Sequence, residues 1–224
     1  IFIFTKSKTG TISDNTITSG KDKGIAINSV KCKMTISGNT IKKCKAYPIY
    51  CNPASTSYAI TLKKNIITGN SKKIDGIRAD SGKLILSSNT ISSCSRAIIL
   101  SSKVKGTVYP NTFKKNTYNN VKVNSSYVKT LTVKSLSGKS KSAKTATLNW
   151  KKLSSASGYV VYRSASKNGS YTKISTIKKN KTITYKDSKL KRKSTYYYKI
   201  VPYTTIGKTT VYGLDSKIVS IKIK

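Results

Sequence analysis

A hexapeptide in the first half of the chain sets its fold: Ile36-Ser37-Gly38-Asn39-Thr40-Ile41. It carries the frame Φ-x-x-Asn-x-Φ, in which Φ is an apolar residue, and this frame occurs five times with its Asn residues 24, 26, 24 and 22 positions apart. The other copies are Ile12-Ser13-Asp14-Asn15-Thr16-Ile17, Leu62-Lys63-Lys64-Asn65-Ile66-Ile67, Leu86-Ser87-Ser88-Asn89-Thr90-Ile91 and Val108-Tyr109-Pro110-Asn111-Thr112-Phe113.

Between successive copies runs a second apolar element with the two-residue alternation of a half-buried strand. A unit of about two dozen residues with several short strands cannot bury its own apolar face, so neighbouring units must stack into a continuous core. The first and last apolar positions of the frame should then form two buried columns. The alternating pairs are Ile25/Ile27, Ile49/Cys51, Ile77/Ala79 and Ile98/Leu100, and the columns are Ile12, Ile36, Leu62, Leu86, Val108 and Ile17, Ile41, Ile67, Ile91, Phe113.

This all-β repeat resembles the right-handed parallel β-helix of surface proteins and polysaccharide-processing enzymes. The resemblance implies about five coils within residues 1–122. Leucine-rich repeats share the period and a recurring Asn, but they need several Leu per unit, and Leu is scarce here. The recurring Asn has two interpretations, a structural ladder of stacked amides at left-handed bends or a row that contacts a glycan, and the ladder is favoured.

The repeat stops after Asn120, and residues 123–127 are predicted to be a linker. Residues 128–224 hold short β-rich segments separated by Ser/Gly/Asn turns, which predicts a seven-stranded β-sandwich. The predicted strands contain Leu131–Val133, Ala146–Trp150, Gly158–Arg163, Ser170–Ile174, Ile183–Tyr185, Thr195–Val201 and Ser216–Ile223.

This half resembles a fibronectin type III module. The similarity rests on Trp150 in the second strand, Gly158-Tyr159 at the start of the third, and Leu190 six residues before Tyr196. It implies that Tyr196 hydrogen-bonds the backbone at a corner of the sandwich. In its Lys content the half resembles modules of surface proteins from anaerobic Gram-positive bacteria.

The composition excludes several classes of function. The chain has 44 Lys+Arg against 6 Asp+Glu, a formal net charge of +38, and no His. Without His there is no Ser-His-Asp or Cys-His nucleophile system and no His-ligated zinc site. The basic residues are mostly Lys and occur in both halves, which predicts weak contact with polyanions and no sequence-specific nucleic-acid recognition. No apolar run approaches the roughly 20 residues that a bilayer span needs, so membrane insertion is not expected.

One local group of residues could carry chemistry: Asp75, Arg78 and Asp80 around a predicted strand. Polysaccharide-cleaving β-helix enzymes, which the repeat resembles, use a basic proton abstractor with Ca²⁺ or a pair of Asp residues. If Ile77 and Ala79 point inward, Arg78 projects outward near Tyr50 on the adjacent coil. The equivalent strand positions on the adjacent coils, Tyr50 and Ile99, supply no carboxylate, so we expect Tyr50 and Arg78 to be glycan contacts rather than part of a catalytic centre.

The four Cys residues are expected to be free thiols. Cys44 and Cys94 lie five residues after the repeat Asn but two coils apart, roughly 10 Å, which is beyond disulfide reach. Cys51 takes an inward position, and Cys32 precedes the strand containing Met34. Only Cys44 with Cys51, which flank one bend, could contradict this register. No Cys spacing typical of a metal site occurs, and no cofactor is expected.

These observations favour the non-catalytic C-terminal part of a secreted or cell-wall-associated bacterial protein, a spacer with weak affinity for polyanionic or neutral polysaccharide. The alternative is a fragment of a β-helix polysaccharide lyase or glycoside hydrolase whose groove lies mainly upstream. The apolar start Ile1-Phe2-Ile3-Phe4 suggests a strand that once had a neighbour, so further coils are expected before Ile1. End-to-end self-association of the fragment through this strand is expected as well.

Overall fold

The computed structural model describes the backbone of residues 2–3, 9–18, 22–28, 31–53, 55–70 and 73–224, and the side chains of these except Phe2, Ile3 and Asn119. Within this part of the chain the regular elements are all β-strands. No helix there is long and apolar enough to cross a membrane. The chain forms two compact units, Ile1–Lys129 with Thr205–Val211, and Thr130–Thr204 with Tyr212–Lys224.

The first unit is a parallel β-solenoid, as the repeat predicts. Its short strands alternate with bends, and equivalent strands of successive repeats pair in parallel, except for the last strand, which closes a hairpin. The strands are β1 (Phe2–Ile3), β2 (Thr9–Ser13), β3 (Thr16–Thr18), β4 (Ile25–Asn28), β5 (Lys33–Ser37), β6 (Thr40–Lys42), β7 (Ile49–Asn52), β8 (Ala59–Lys63), β9 (Ile66–Thr68), β10 (Ile77–Ala79), β11 (Gly82–Ser87), β12 (Thr90–Ser92), β13 (Arg96–Leu100), β14 (Val104–Val108), β15 (Thr112–Lys114), β16 (Tyr118–Val123) and β17 (Ser126–Val128).

Three parallel stacks run along this unit. The first contains β1, β4, β7, β10, β13 and β16, the second β2, β5, β8, β11 and β14, and the third β3, β6, β9, β12 and β15. The solenoid has about four turns, which confirms the short parallel β-helix that the sequence predicts.

Both predicted apolar columns are present in the stated register. The column from Ile12 to Val108 pairs residue by residue through the second stack and is buried throughout. The column from Ile17 to Phe113 pairs through the third stack. Its three middle members are fully buried, and its two ends are partly buried against the same core. Burial of one apolar position per coil therefore holds the stack together.

The repeat Asn residues form the expected ladder. Each side-chain amide donates to the Oδ1 atom of the next Asn, at 3.0, 3.0, 2.9 and 2.8 Å from Asn15 to Asn111. The expectation that Asn itself takes the left-handed conformation is wrong. The positive φ angles lie one residue earlier, at Asp14, Gly38, Lys64 and Ser88. The Asn amide spans this bend by donating to the carbonyl two residues before it, as at Ser13, Ser37 and Lys63.

Two sequence predictions concern the ends of this unit. Residues 123–127, predicted to be a linker, belong to a β-hairpin in which β16 and β17 pair antiparallel. Val121, Val123 and Val128 are buried, and their burial explains the pairing. The predicted adhesive strand falls on Ile1-Phe2-Ile3-Phe4, whose residues 1 and 4 and whose side chains at 2 and 3 lie outside the described residues.

The second unit is a β-sandwich of seven strands in the described part of the chain. β18, β19 and β22 form one sheet, and β20, β21, β23 and β25 pair in the other. The predicted first strand at Leu131–Val133 is replaced by a strand six residues later, since Thr132 makes only an isolated bridge. The seven strands are β18 (Ser137–Lys139), β19 (Ala146–Asn149), β20 (Gly158–Ser164), β21 (Thr172–Ile177), β22 (Thr184–Asp187), β23 (Thr195–Ile206) and β25 (Val219–Lys222). A further strand, β24 (Thr209–Tyr212), lies between β23 and β25 in the chain.

β23 runs beyond the predicted end at Val201, and it is followed by β24, which the sequence analysis did not predict. Gly207, with φ of +54°, makes the tight turn between the two strands. The segment Thr205–Val211 belongs to the first unit, where β24 pairs in parallel with β14. β-Branched and aromatic residues on both sides of Gly207 were the available signal for this hairpin.

The core of the sandwich confirms the residues on which the fibronectin type III resemblance rests. Trp150 and Tyr159 are buried and meet edge to face, with ring centroids 5.3 Å apart. Leu190 is buried in the same core. The Tyr196 hydroxyl accepts a hydrogen bond of 3.3 Å from the backbone N–H of Lys191, which is the predicted corner contact.

Candidate functional site

The first parallel stack presents an outward row of side chains across neighbouring coils. Alternation within β7 and β10 buries Ile49, Cys51, Ile77 and Ala79, so the residues between them face outward. The row contains Ala26, Tyr50, Arg78, Ile99 and Lys122, which pair in that order, and Ala26 at its start is buried. Arg78 and Tyr50 are therefore adjacent, about one strand spacing of 4.8 Å apart along the stack.

A hydrogen-bonded cluster forms around Asp80, the residue that follows β10. Its Oδ1 accepts from Nε of Arg78 at 3.0 Å, and its Oδ2 accepts from the hydroxyl of Tyr50 at 2.9 Å. Arg78 also donates from Nη1 to the hydroxyl of Tyr47 at 3.2 Å. The Tyr47 and Tyr50 rings stack at 5.9 Å with an interplanar angle of 23°. These contacts fix two aromatic rings and a guanidinium in one arrangement, which we call the Tyr-Arg cluster.

The Tyr-Arg cluster borders an open depression of about 430 Å³ that Lys23 and Asn28 also line. The Lys23 ammonium lies 5.5 Å from the centre of the Tyr50 ring, and the Arg78 guanidinium lies 5.3 Å from that of Tyr47. Lys23 is paired with Asp22 at 2.7 Å. The sequence analysis did not find Tyr47, Lys23 or Asn28; a second Tyr three residues before Tyr50 was the available signal.

Asp75 does not join this cluster. It is buried and accepts two hydrogen bonds from Arg96, at 2.8 Å from Nε and at 3.2 Å from Nη2. Arg96 lies on β13, the next strand along the stack. Asp75 and Asp80, treated together in the sequence analysis, therefore serve different guanidinium groups.

The protonation of the cluster bears on its chemistry. Desolvation lowers the pKa of Arg78, but the hydrogen bond and the negative charge of Asp80 outweigh it, so the pKa is raised overall. Burial, followed by the hydrogen bond to Asp80, raises the pKa of Tyr50. Both groups thus hold their protons more firmly than in water, which makes them hydrogen-bond donors rather than bases.

All four Cys residues are free thiols and are buried, as the register predicts. Cys51 pairs in register with Ile27 and Ala79, the inward positions named in the sequence analysis. Burial raises the pKa of Cys51 and of Cys94 to about 12. These thiols are small apolar groups of the core and not reactive nucleophiles.

Comparison with known protein families gives a match that covers the first unit and its flank. Residues 2–140 match the sequence profile of a family described as periplasmic copper-binding protein (NosD). The chain belongs to the NosD family. A family described as periplasmic indicates an exported protein that works outside the cytoplasm. No match was found among curated proteins.

The copper in the NosD family's description can be tested against the residues of this chain. Copper takes imidazole, thiolate or thioether ligands, but the chain has no His and one Met, Met34, which is buried. No three His, Cys, Asp or Glu side chains converge in the part of the chain that the structure describes. The thiols of Cys51 and Cys94, with pKa raised to about 12, are protonated. These residues do not fit a copper site.

Solved structures similar to the chain include fibronectin type III proteins. An Fn3-like protein from Clostridium thermocellum matches at 29% identity with a TM-score of 0.35, over 40% of this chain and 88% of the other. The chicken CNTN1 FN1–FN3 domains match at 17% identity and 0.38, over 46% and 35%. The sixth domain of human fibronectin type III domain containing protein 3 matches at 19% identity and 0.36, over 43% and 87%. The assignment to Lys-rich modules of Gram-positive surface proteins stays a prediction.

Proposed function

We propose that this NosD-family chain is a non-catalytic spacer and binding element of an exported protein, and that its solenoid contacts a neutral polysaccharide through the Tyr-Arg cluster. The observation that carries the proposal is the hydrogen-bonded arrangement of Tyr47, Tyr50, Arg78 and Asp80 beside an open depression. Aromatic faces next to a few fixed polar groups are typical of sites that bind amphipathic ligands such as sugars.

The charge balance of the depression favours a neutral glycan over an acidic one. Its two cations each have a carboxylate partner, Lys23 with Asp22 at 2.7 Å and Arg78 with Asp80 at 3.0 Å. What remains is a set of donors and acceptors: the Asn28 amide, two phenol groups, a guanidinium and a carboxylate. Such a set matches hydroxyl groups, which both donate and accept hydrogen bonds.

The same geometry supports a binding role over cleavage. A proton abstractor must give up its own proton first, and Asp80 stabilises the charged form of Arg78. Hydrolysis by a carboxylate pair needs two carboxyl groups facing one bond, whereas Asp75 is turned to Arg96 and Asp80 to Arg78. Each carboxylate has a structural partner, so the alternative of a lyase or hydrolase centre at these residues has little support.

The test is affinity electrophoresis of the 224-residue chain through gels that contain a soluble neutral β-glucan, dextran or polygalacturonate. We expect retardation by one of the neutral polymers and a loss of about tenfold in affinity for Tyr47→Ala and for Arg78→Gln. Tyr109→Ala is the matched control, because Tyr109 is a 41% exposed tyrosine of the same unit that does not line the depression.

Two outcomes would contradict the proposal. One is equal retardation of the Tyr47 and Tyr109 variants, which would place binding elsewhere. The other is release of unsaturated product from polygalacturonate, which would establish cleavage. This release is measured by ultraviolet absorbance with and without Ca²⁺. Labelling of the buried thiols shows in each variant whether the solenoid has remained folded.

A further inference from the structure

A second depression, in the sandwich unit, is strongly cationic. It measures about 680 Å³ and is open to solvent. Its lining contains no carboxylate, and Leu190, which lines it, is buried against the core. The charged residues that line it are exposed, so their side chains are available to a ligand. The lining consists of Lys144, Lys189, Leu190, Lys191, Arg192 and Tyr196, and we call it the basic depression.

The backbone beneath the basic depression is held in place by hydrogen bonds. The N–H of Leu190 donates to the carbonyl of Lys144 at 3.0 Å, and the N–H of Lys191 donates to the Tyr196 hydroxyl at 3.3 Å. Lys144 and Lys189 have φ angles of +58° and +60°, which bend the chain at both places. A loop fixed in this way loses little conformational entropy when a ligand binds to it.

The arginines of the chain show why this site differs from the rest of the surface. Three of the four Arg residues pair with a carboxylate: Arg78 with Asp80, Arg96 with Asp75, and Arg163 with Asp187, at 2.8 to 3.0 Å. The fourth is Arg192. Among the described residues no carboxylate pairs with Arg192 or with the three lysines of the basic depression.

The nearest carboxylate along the chain does not neutralise the basic depression. Asp187 is 6% exposed, and its Oδ2 accepts from Nη1 of Arg163 at 3.0 Å and from the hydroxyl of Tyr198 at 2.9 Å. Its charge is directed into the sandwich and is compensated there. In the part of the chain that the structure describes, no Asp side chain therefore pairs with the four cations of the basic depression. The backbone N–H of Lys144 donates to the carbonyl oxygen of Lys224 at 3.4 Å, and this contact leaves the Lys144 ammonium available to an anion.

We propose that the basic depression binds a linear phosphate polymer. Several cations in one concave surface match a ligand with several closely spaced anionic groups, which engages them together. Lys contacts phosphate oxygens as a point charge, and Arg can hold two of them at once with its planar fork. This is a located site, distinct from the weak field of dispersed lysines, and it does not depend on the glycan contact proposed for the solenoid.

The experiment compares two variants that each lose three positive charges. The test variant is Lys189→Asn with Lys191→Gln and Arg192→Gln, where Asn is chosen because it tolerates the positive φ at position 189. The control is Lys178→Gln with Lys179→Gln and Lys181→Gln. The strand β22 separates the two groups of residues. The control lysines precede its first residue, Thr184, which pairs with Asn149, whereas the test residues of the basic depression follow its last residue, Asp187, which pairs with Ala146.

The probe is inorganic polyphosphate of defined chain length, titrated into the full chain at several NaCl concentrations. We expect the test variant to bind about tenfold more weakly at 150 mM NaCl and the control to change less than about twofold. The slope of log K against log[NaCl] should fall by about 2 in the test variant, since each lost contact releases about 0.7 fewer counterions. Fluorescence of Trp150, the single Trp, reports that the sandwich is folded.

Each other result overturns the proposal. Equal weakening of the two variants would mean that only the overall field attracts polyphosphate. Absence of wild-type binding at 150 mM NaCl would mean that the basic depression is not a site. Binding of heparin that depends on the same three residues, without binding of polyphosphate, would identify a sulfated glycan as the ligand instead.

Discussion

Truncation of Asn65 to Ala should destabilise the solenoid more than any comparable change at the end of the ladder. Asn65 is fully buried, and its side chain makes five hydrogen bonds. It donates to the carbonyls of Ile36 at 2.9 Å and Lys63 at 3.2 Å, and to Oδ1 of Asn89 at 2.9 Å. It accepts from the backbone N–H and the side-chain amide of Asn39, at 3.1 and 3.0 Å.

The magnitude follows from which partners are left without a bond. The Asn39 amide group keeps its bonds to Ile12 and Ser37, and Oδ1 of Asn89 still accepts from the backbone of Asn65. The buried backbone N–H of Asn39 loses its ladder acceptor, at a cost of about 1–3 kcal/mol. The other four lost bonds contribute about 0.5 kcal/mol each, so the free energy of unfolding should fall by about 3–5 kcal/mol.

Asn15→Ala is the matched control, because it is the same substitution in the same ladder. Asn15 is exposed, and its side chain donates only to Ser13 and Asn39 in the described contacts. Its loss should cost about 1 kcal/mol, since water can replace these bonds.

The two units need separate probes, and the chain supplies them. All four thiols are buried in the first unit, so pulsed thiol labelling in urea measures its unfolding. The fluorescence of Trp150 measures unfolding of the sandwich. If Asn65→Ala and Asn15→Ala lowered the labelling midpoint equally, the ladder would contribute no more in the interior than at its end, and the reasoning would be wrong.

Two further experiments test the cysteines and the sandwich core, a thiol titration of the wild-type chain and a substitution of Tyr198. Without reductant, denatured protein should yield four equivalents with Ellman's reagent, and native protein should react slowly because burial raises the pKa of Cys51 and Cys94 to about 12; a mass two hydrogens short would contradict the free thiols. Burial, followed by the hydrogen bond to Asp187, raises the pKa of Tyr198, so the folded sandwich favours the neutral phenol. Its contribution to stability should be complete below about pH 10 and be lost as the pH rises further. Trp150 fluorescence should therefore show a smaller alkaline loss for Tyr198→Phe than for wild type, and parallel losses would refute this.

The repeat could be predicted because its information is local and redundant. A shift of one residue in register would move Ile36 and Leu62 from the core to solvent, and five copies of the frame exclude that shift. The bend was harder to predict, because Asp14, Gly38, Lys64 and Ser88 share only a backbone conformation. No single side-chain type marks that position, whereas the adjacent Asn recurs in every copy of the frame, and the left-handed conformation was therefore predicted for the Asn.

The candidate site was less accessible to sequence reasoning because its partners lie far apart in the chain. Tyr47 and Arg78 are 31 residues apart, and so the contact between them depends on coil length as well as on strand register. The pairing of Tyr50 with Arg78 followed from the repeat, but the choice of Asp80 rather than Asp75 as the partner of Arg78 did not. Asp75 and Asp80 flank the same strand, β10. Which guanidinium each carboxylate contacts depends on the side-chain conformations at the two ends of that strand, and the repeat pattern does not encode these conformations.

Charge, which dominates the composition, separates the two proposed sites. A net charge of +38 alone would attract any polyanion to any part of the surface, with a field that salt screens. Specific binding needs places where the local ratio of positive to negative side chains differs from that of the whole surface. Four of the six Asp side chains neutralise cations in this way. Asp22 and Asp80 pair with Lys23 and Arg78 at the solenoid depression, Asp75 pairs with the neighbouring Arg96, and Asp187 pairs with Arg163 at the sandwich core. The surface at these pairs is polar, but its positive charge is compensated. Arg192 and its neighbouring lysines keep their full charge. The distribution of a few Asp residues, rather than the many Lys, therefore decides which surface suits a neutral ligand and which suits an anion.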